Sequence, residues 1–152
     1  MRKLFYVVMM VAQLVFAGTL APAPVLADEA NPLIVLVKYT APWCGACGLD
    51  HAMLEREGRL GGFYVAVGAR SVPVRFQEVQ SGSALEMSYI EHLEREGHDG
   101  PRMLPAYDLF VDGHWSGRHE GPFVLGAFID AFVRQELEAV FPPPGTDPWG
   151  GF

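Results

Sequence analysis

The chain has 152 residues, of which 50% are hydrophobic and 19% are charged, and its 11 basic and 18 acidic side chains give a formal net charge of −7. This length and apolar content predict one folded domain and exclude a disordered chain or a multidomain enzyme. Proteins that bind nucleic acids need a clustered excess of Lys and Arg, so the acidic balance argues against a nucleic-acid partner.

The first 27 residues have the pattern of a secretory signal peptide. Arg2 and Lys3 form a basic start, residues 4–20 are mostly apolar, and Val25-Leu26-Ala27 supplies a small-residue cleavage pattern. The apolar run is at the short end of the roughly 17–25 residues that span a bilayer, which favours cleavage over an uncleaved anchor. We therefore expect an exported protein whose mature chain begins at Asp28.

The mature chain opens with a strand and a helix. Leu33–Val37 is a continuous apolar run rich in β-branched residues, which predicts a central strand covered on both faces. From Cys44 the spacing becomes helical and ends near Gly58. Three apolar positions are predicted on the buried face of this helix, namely Leu49, Ala52 and Met53.

The next segment predicts a single strand. Residues 58–70 hold four glycines and are expected to be mostly loop, although residues 63–67 could form a short packed segment. Residues 72–76 alternate between apolar and other side chains, which is typical of a strand. Because Pro73 cannot donate a hydrogen bond, this strand is expected near a sheet edge.

A second helix and a hairpin follow. Ser83–Glu86 matches a capping box and begins a helix that ends near Gly97. Ala106–Val111 predicts a strand, Asp112-Gly113 a two-residue turn, and residues 114–118 the returning strand.

The last predicted helix starts at Pro122 and ends before Pro142. Its apolar stripe consists of Leu125, Phe128, Ile129, Phe132 and Leu137. Residues 142–152 are expected to form a loose Pro/Gly-rich tail. The order strand, helix, strand, helix, strand, strand, helix predicts an α/β domain over residues 28–141, with a mixed central sheet of about four strands flanked by helices.

The two cysteines, Cys44 and Cys47, are the sharpest clue to function. With two residues between them they cannot cross-link distant parts of the chain, and so short a disulfide loop removes little entropy from the unfolded state. The pair is therefore interpreted as chemical rather than structural.

The chain resembles the thioredoxin superfamily. The resemblance rests on Trp43-Cys44-Gly45-Ala46-Cys47 after an apolar strand, followed by Leu104-Pro105, the hairpin and the closing helix, and it covers roughly Leu33 to Val140. It implies a thioredoxin-like fold and a thiol–disulfide oxidoreductase.

Each site residue has an expected role. A thiol at a helix N-terminus is ionised more easily, so Cys44 is the predicted nucleophile and Cys47, one turn further on, the resolving thiol. The resemblance implies a cis-proline opposite the dithiol. Pro105 is preferred over Pro73 as this cis-proline. In that role it leaves the backbone of Leu104 free to pair with an extended substrate segment. Trp43 is expected either to shield the sulfurs and offer a flat contact surface or simply to pack.

Lys38 departs from the family pattern, because many relatives carry a buried acid six residues before the first cysteine. An ammonium turned towards the dithiol would favour the thiolate, whereas one turned towards solvent would have no effect. Both alternatives stay open, and in either case Cys47 must lose its proton to water or to another group.

The expected function is that of a periplasmic enzyme that reduces disulfides of client proteins. Gly45 and Ala46 supply no charge that would make the dithiol a strong oxidant. No bound organic cofactor or metal is expected, since the two sulfurs carry the electrons. The resemblance suggests that a membrane-embedded dithiol carrier recharges the enzyme.

Two readings from other classes compete with this one. Cys44, Cys47 and His51 share a helix face and could hold a soft ion such as copper(I). The dithiol could also be vestigial in a non-catalytic binding module. The remaining histidines, at positions 92, 98, 114 and 119, are expected to be solvated surface residues.

Overall fold

In a computed structural model, the structure describes residues 32–141. The predicted signal peptide and the predicted tail lie outside the described residues. The strands are β1 (Ile34–Thr40), β2 (Phe63–Val67), β3 (Arg70–Gln80), β4 (Ala106–Val111) and β5 (His114–Glu120). The helices are α1 (Gly45–Arg56), α2 (Ala84–Arg95) and α3 (Gly126–Val140). Within the described range, no helix combines the length and apolarity needed to cross a membrane.

The strands form one mixed sheet in the order β2-β3-β1-β4-β5, with β1 parallel to β3 and the other neighbours antiparallel. The α/β class and the mixed sheet are confirmed, with five strands instead of about four. The additional strand is β2, which the glycine content had assigned mostly to loop. Gly62 and Gly68 have positive φ and flank this strand, so they bend the chain into and out of it rather than prevent it.

The position of β3 corrects a second expectation. This strand lies between β2 and β1, not at a sheet edge. Its pairing with β1 starts at Val74, whereas Pro73 is opposite Tyr64 of β2. Pro73 therefore lies where β3 has one neighbouring strand, and a missing donor is tolerated there.

The buried face of α1 agrees with the prediction at Met53 but not at Leu49 or Ala52. Its buried residues are Cys47, Asp50, Met53 and Leu54, whereas Leu49 is 77% exposed and Ala52 is also exposed. The apolar spacing misplaced the face because Asp50, and not Leu49, lies on the inner side of the helix.

The last helix also begins later than predicted, at Gly126 rather than at Pro122. Phe123 is buried in the preceding loop, with its ring 4.7 Å from that of Tyr107, and the backbone is still extended at Leu125. Leu125 and Phe128 are consequently exposed, whereas Ile129 and Leu137 are buried as predicted.

The sheet is covered on both faces, as predicted for β1. Ile34 and Leu36 pack with residues of α1 and α3, while Val37 and Tyr39 pack with Leu93 of α2. Alternation along the strand places Lys38 on the same face as Leu36, beneath α1. This position brings a charged side chain under the cysteine helix.

Candidate functional site

Cys44 and Cys47 are joined by a disulfide at the start of α1, with an S–S distance of 2.04 Å. Cys44 is the N-cap residue, and its Sγ accepts a hydrogen bond from the backbone N–H of Cys47 at 3.2 Å. Cys44 is half-buried, whereas Cys47 is 1% exposed. A partner can therefore reach the first sulfur, while the second lies behind it.

Trp43 precedes the disulfide and is 78% exposed. The alternative that this indole packs into the core is therefore wrong. Its aromatic face is available as an apolar contact surface beside the accessible sulfur.

Pro105 lies at the same end of the central strands as the dithiol loop. Its neighbour Ala106 pairs with Tyr39, at the end of β1 from which the chain runs to Cys44. The Leu104–Pro105 peptide bond is cis, and the Pro105 carbonyl accepts a hydrogen bond from Gly121 N at 2.8 Å. The role of Leu104 and Pro105 in binding a substrate stays a prediction.

Pro73, the other candidate for the proline opposite the dithiol, is at the far end of the sheet. Its neighbour Val74 pairs with Ile34, the first residue of β1. The seven residues of β1 separate it from the end of the strand that leads to the dithiol, a distance of about 20 Å for an extended strand. Pro73 therefore does not belong to the site.

Lys38 lies beneath the first turn of α1 and is completely buried. Its Nζ donates hydrogen bonds to the Cys47 carbonyl oxygen at 3.2 Å and to Glu78 Oε2 at 3.1 Å. Lys38 and Glu78 are register partners on β1 and β3. The solvent-facing alternative for this lysine is therefore wrong, and a compensated ammonium belongs to the site.

His51 pairs with the same carboxylate, with Nδ1 3.0 Å from Glu78 Oε2. Burial acts to raise the pKa of Glu78, but the hydrogen bonds from His51 and Lys38 outweigh it and hold that pKa below its ordinary value. Across residues 32–141, no group of three His, Cys, Asp or Glu side chains is placed to hold a metal ion. The geometry thus offers no support for the copper-handling alternative.

Asp50 is the site residue that the sequence analysis missed. It is 2% exposed, its Oδ2 accepts a hydrogen bond from the Tyr107 hydroxyl, and its Oδ1 is buried without a hydrogen-bond partner. Burial raises the pKa of this carboxyl, against the hydrogen bond from Tyr107 and the charge of Lys38. Its spacing of three residues from Cys47 was the available signal, since such positions share a helix face.

The expectation of solvated histidines is wrong for His119. Its ring stacks on Phe123 at a centroid distance of 4.0 Å, and burial lowers the pKa of the imidazole. The other three make surface contacts: His92 with the Gly113 carbonyl, His98 with the Trp115 ring and His114 with Glu96.

The strand order, the three flanking helices and the disulfide at the start of α1 define a thioredoxin-like α/β fold. No protein-family model and no curated protein matches the sequence.

Solved thioredoxin structures are similar to the chain at low identity. Thioredoxin-2 of a malaria parasite, described as a component of its protein secretion machinery, is 13% identical, with a TM-score of 0.46 over 68% of this chain and 84% of that one. Thioredoxin f2 of Chlamydomonas reinhardtii is 18% identical, with a TM-score of 0.45 over 71% and 82% of the two chains. A mutant thioredoxin of Halobacterium salinarum is also 18% identical, with a TM-score of 0.42 over 70% and 73%.

Proposed function

We propose that the chain is a thiol–disulfide oxidoreductase whose dithiol is Cys44 and Cys47. The observation that carries this proposal is the disulfide at the N-terminus of α1, with one sulfur reachable from outside and the other buried. A purely structural role would not explain so short a bridge, because its loop is too small to constrain the unfolded chain.

The reaction exchanges two electrons in two displacements. In the reduced enzyme, the Cys44 thiolate attacks one sulfur of a client disulfide, and the other client sulfur leaves as a thiolate. Cys47 then attacks Cys44, which restores the internal disulfide and releases the second client sulfur. The client gains two electrons, and the enzyme dithiol loses them.

The start of α1 favours the thiolate that this reaction needs. The Cys47 N–H already donates to Cys44 Sγ, and the positive end of the helix dipole lies at the same place. Both effects stabilise a negative sulfur more than a neutral one, so Cys44 is the attacking residue.

Client binding is assigned to the surface around Cys44. Trp43 supplies the exposed aromatic contact, and the backbone of Leu104 before Pro105 pairs with an extended client segment by strand addition. This assignment is supported by the position of Pro105 at the same end of the central strands as the dithiol and by the exposure of the Trp43 indole.

Electron flow is proposed to run from the enzyme to client proteins in the periplasm. Export is supported by the signal-peptide pattern of residues 1–27. Reduction is supported by the uncharged Gly45-Ala46 pair and by the pairing of Lys38 with Glu78, because a compensated ammonium stabilises a thiolate less than a free one. A membrane-embedded dithiol carrier would then recharge the enzyme.

Disulfide exchange with a reduced and an oxidised client tests the function. Cys44→Ser should abolish exchange, and Cys47→Ser should leave the first attack and accumulate the mixed disulfide. Excess chelator should not change the exchange rate of the parent, because the proposed reaction uses only the two sulfurs. Rapid exchange by Cys44→Ser would refute the proposal.

The reduction potential tests the direction. Equilibration with glutathione should give a value near that of thioredoxin, about −270 mV. A value near that of a strong oxidant, about −120 mV, would reverse the proposed electron flow.

A further inference from the structure

The second displacement requires a base that the two sulfurs do not provide. Cys47 must lose its proton before it can attack Cys44, yet it is 1% exposed, so bulk water is not adjacent to the thiol. The required group must therefore belong to the protein interior around the first turns of α1.

Two buried or half-buried carboxyl groups lie in that region, and they differ in availability. Glu78 is paired through one oxygen, Oε2, with Lys38 Nζ at 3.1 Å and with His51 Nδ1 at 3.0 Å, and this pairing makes its carboxylate a weaker proton acceptor. Asp50 is bound through Oδ2 to Tyr107, while its Oδ1 is buried and unpartnered. Asp50 also follows Cys47 by three residues, and both are on the buried face of α1.

We propose that Asp50 is the proton acceptor of Cys47, with Tyr107 as the residue that positions it and Lys38 as the nearby charge that keeps it able to ionise. This proposal rests on the proposed exchange function and assigns a residue to its second step.

The proposed step is balanced in atoms and electrons. The proton of Cys47 moves to Oδ1 of Asp50, and the sulfur electron pair forms the bond to Cys44 Sγ. The bond between Cys44 and the client sulfur breaks, and the client sulfur leaves with its electron pair as a thiolate. When the enzyme is reduced again, the Cys47 thiolate takes the proton back from Asp50, so the cycle needs no proton path to the surface.

The charges around Asp50 fit both states of this cycle. In the disulfide form described here, burial raises the pKa of Asp50, which favours the protonated carboxyl that the cycle requires after exchange. The hydrogen bond from Tyr107 and the charge of Lys38 lower this pKa and so keep the carboxyl able to ionise. Three other titratable groups lie around this cluster. Glu78 on β3 binds Lys38 and is itself paired with His51 of α1. His119 lies on β5, and its charge when protonated also favours the carboxylate of Asp50.

A small aromatic disulfide separates the two displacements. The reduced enzyme is mixed with 5,5′-dithiobis(2-nitrobenzoate) in a stopped-flow instrument. Attack by Cys44 releases the first nitrothiolate, and resolution by Cys47 releases the second. Asp50→Asn should leave the first release unchanged and slow the second by about 10²-fold near neutral pH, the lower end of the range for general acid–base catalysis.

The matched control is Glu55→Gln. It makes the same carboxylate-to-amide change on the exposed side of the same helix, and it should alter neither release. Thermal unfolding of each variant verifies that it is folded.

The pH profile of the second release provides a readout that a structural role would not move. In Asp50→Asn the rate should follow ionisation of the thiol itself and keep rising at alkaline pH. Tyr107→Phe and Lys38→Met each remove an interaction that lowers the pKa of Asp50. Both variants should therefore shift the carboxyl-dependent part of the profile to higher pH, and this test applies even if Asp50→Asn fails to fold.

The outcomes separate this inference from the proposed function. If the parent releases neither nitrothiolate, the exchange function itself fails. If the parent releases both and Asp50→Asn does so equally fast, or slows both to the same extent, the function stands and the proton acceptor is not Asp50. Selective slowing of the second release by Glu78→Gln, with no effect of Asp50→Asn, would assign the base to Glu78 and overturn the inference.

Discussion

Replacement of Arg118 by leucine should destabilise the fold strongly, because it leaves a buried carboxylate without its main partner. Asp108 is completely buried, and Arg118 donates to its two oxygens at 2.7 and 2.8 Å from the facing position on β5. The remaining bond, from Trp115 Nε1 at 3.0 Å, cannot compensate a full charge.

The expected cost follows from the burial of Asp108. Breaking a buried ion pair by removing one partner costs about 3–5 kcal/mol, against about 0–1 kcal/mol for an exposed pair. The side chain of Arg118 is 15% exposed, and that of Asp108 is fully buried, so the buried case applies. At about 4 °C per kcal/mol for a domain of this size, the unfolding midpoint should fall by roughly 12–20 °C.

Urea and thermal unfolding of Arg118→Leu measure this cost. The double variant Arg118→Leu/Asp108→Asn, which removes the stranded charge as well, should recover more than half of the loss. The first nitrothiolate release by Cys44 should be unchanged in both. A loss below about 1 kcal/mol for the single variant, the range of an exposed pair, would refute the argument that Asp108 is shielded from water.

Three further predictions concern the dithiol surface, the entry into β2 and the pH dependence of stability. Trp43→Ala should change the free energy of unfolding by less than about 0.5 kcal/mol, since the indole is 78% exposed. The same variant should slow the reduction of protein clients more than the reduction of a small disulfide. Equal slowing of both reactions would argue against a client contact at Trp43. Gly62→Ala should destabilise the fold by about 1–3 kcal/mol, because φ is +106° and the new Cβ would lie 2.9 Å from the Val74 carbonyl oxygen. In the same urea titration Gly61→Ala serves as the control, because its new Cβ would meet open space. The pKa of Asp50 is raised by burial, so the folded state binds the proton more tightly than the unfolded chain, and stability should fall as the pH rises from about 3.9 through the higher pKa of the folded carboxyl. Asp50→Asn should remove this fall, and an unchanged slope in its pH-dependent unfolding would contradict the assignment.

Much of the local structure was predictable because it depends on neighbours in sequence. Ser83 caps α2 through the Glu86 N–H at 3.1 Å, and Glu86 in turn accepts from Gly82 N, one residue earlier than in the standard capping box. The turn at Asp112-Gly113 has positive φ at both residues, as the hairpin pattern requires. The Cys-x-x-Cys pair likewise depends on spacing within one helical turn.

Side-chain environments were predictable only in part, because they depend on elements far apart in sequence. Lys38 offered no signal that distinguished a buried ammonium from a solvated one until β3 placed Glu78 opposite it. Asp50 carried no apolar signal, and the predicted buried face of its helix did not include it. Tyr107, 57 residues later, supplies the hydroxyl that makes its burial tolerable.

The amino-acid order by itself determined the two-cysteine chemistry, the cap and turn residues, and the apolar runs that become a sheet covered on both faces. The tertiary structure alone decided which side of α1 faces inward, that residues 63–67 pair as a strand, and that Lys38, Glu78 and Asp50 gather beneath Cys47. The physical reason is that caps and turns depend on neighbouring residues, whereas the cost of burying a charge depends on partners that only the folded sheet brings within hydrogen-bond distance.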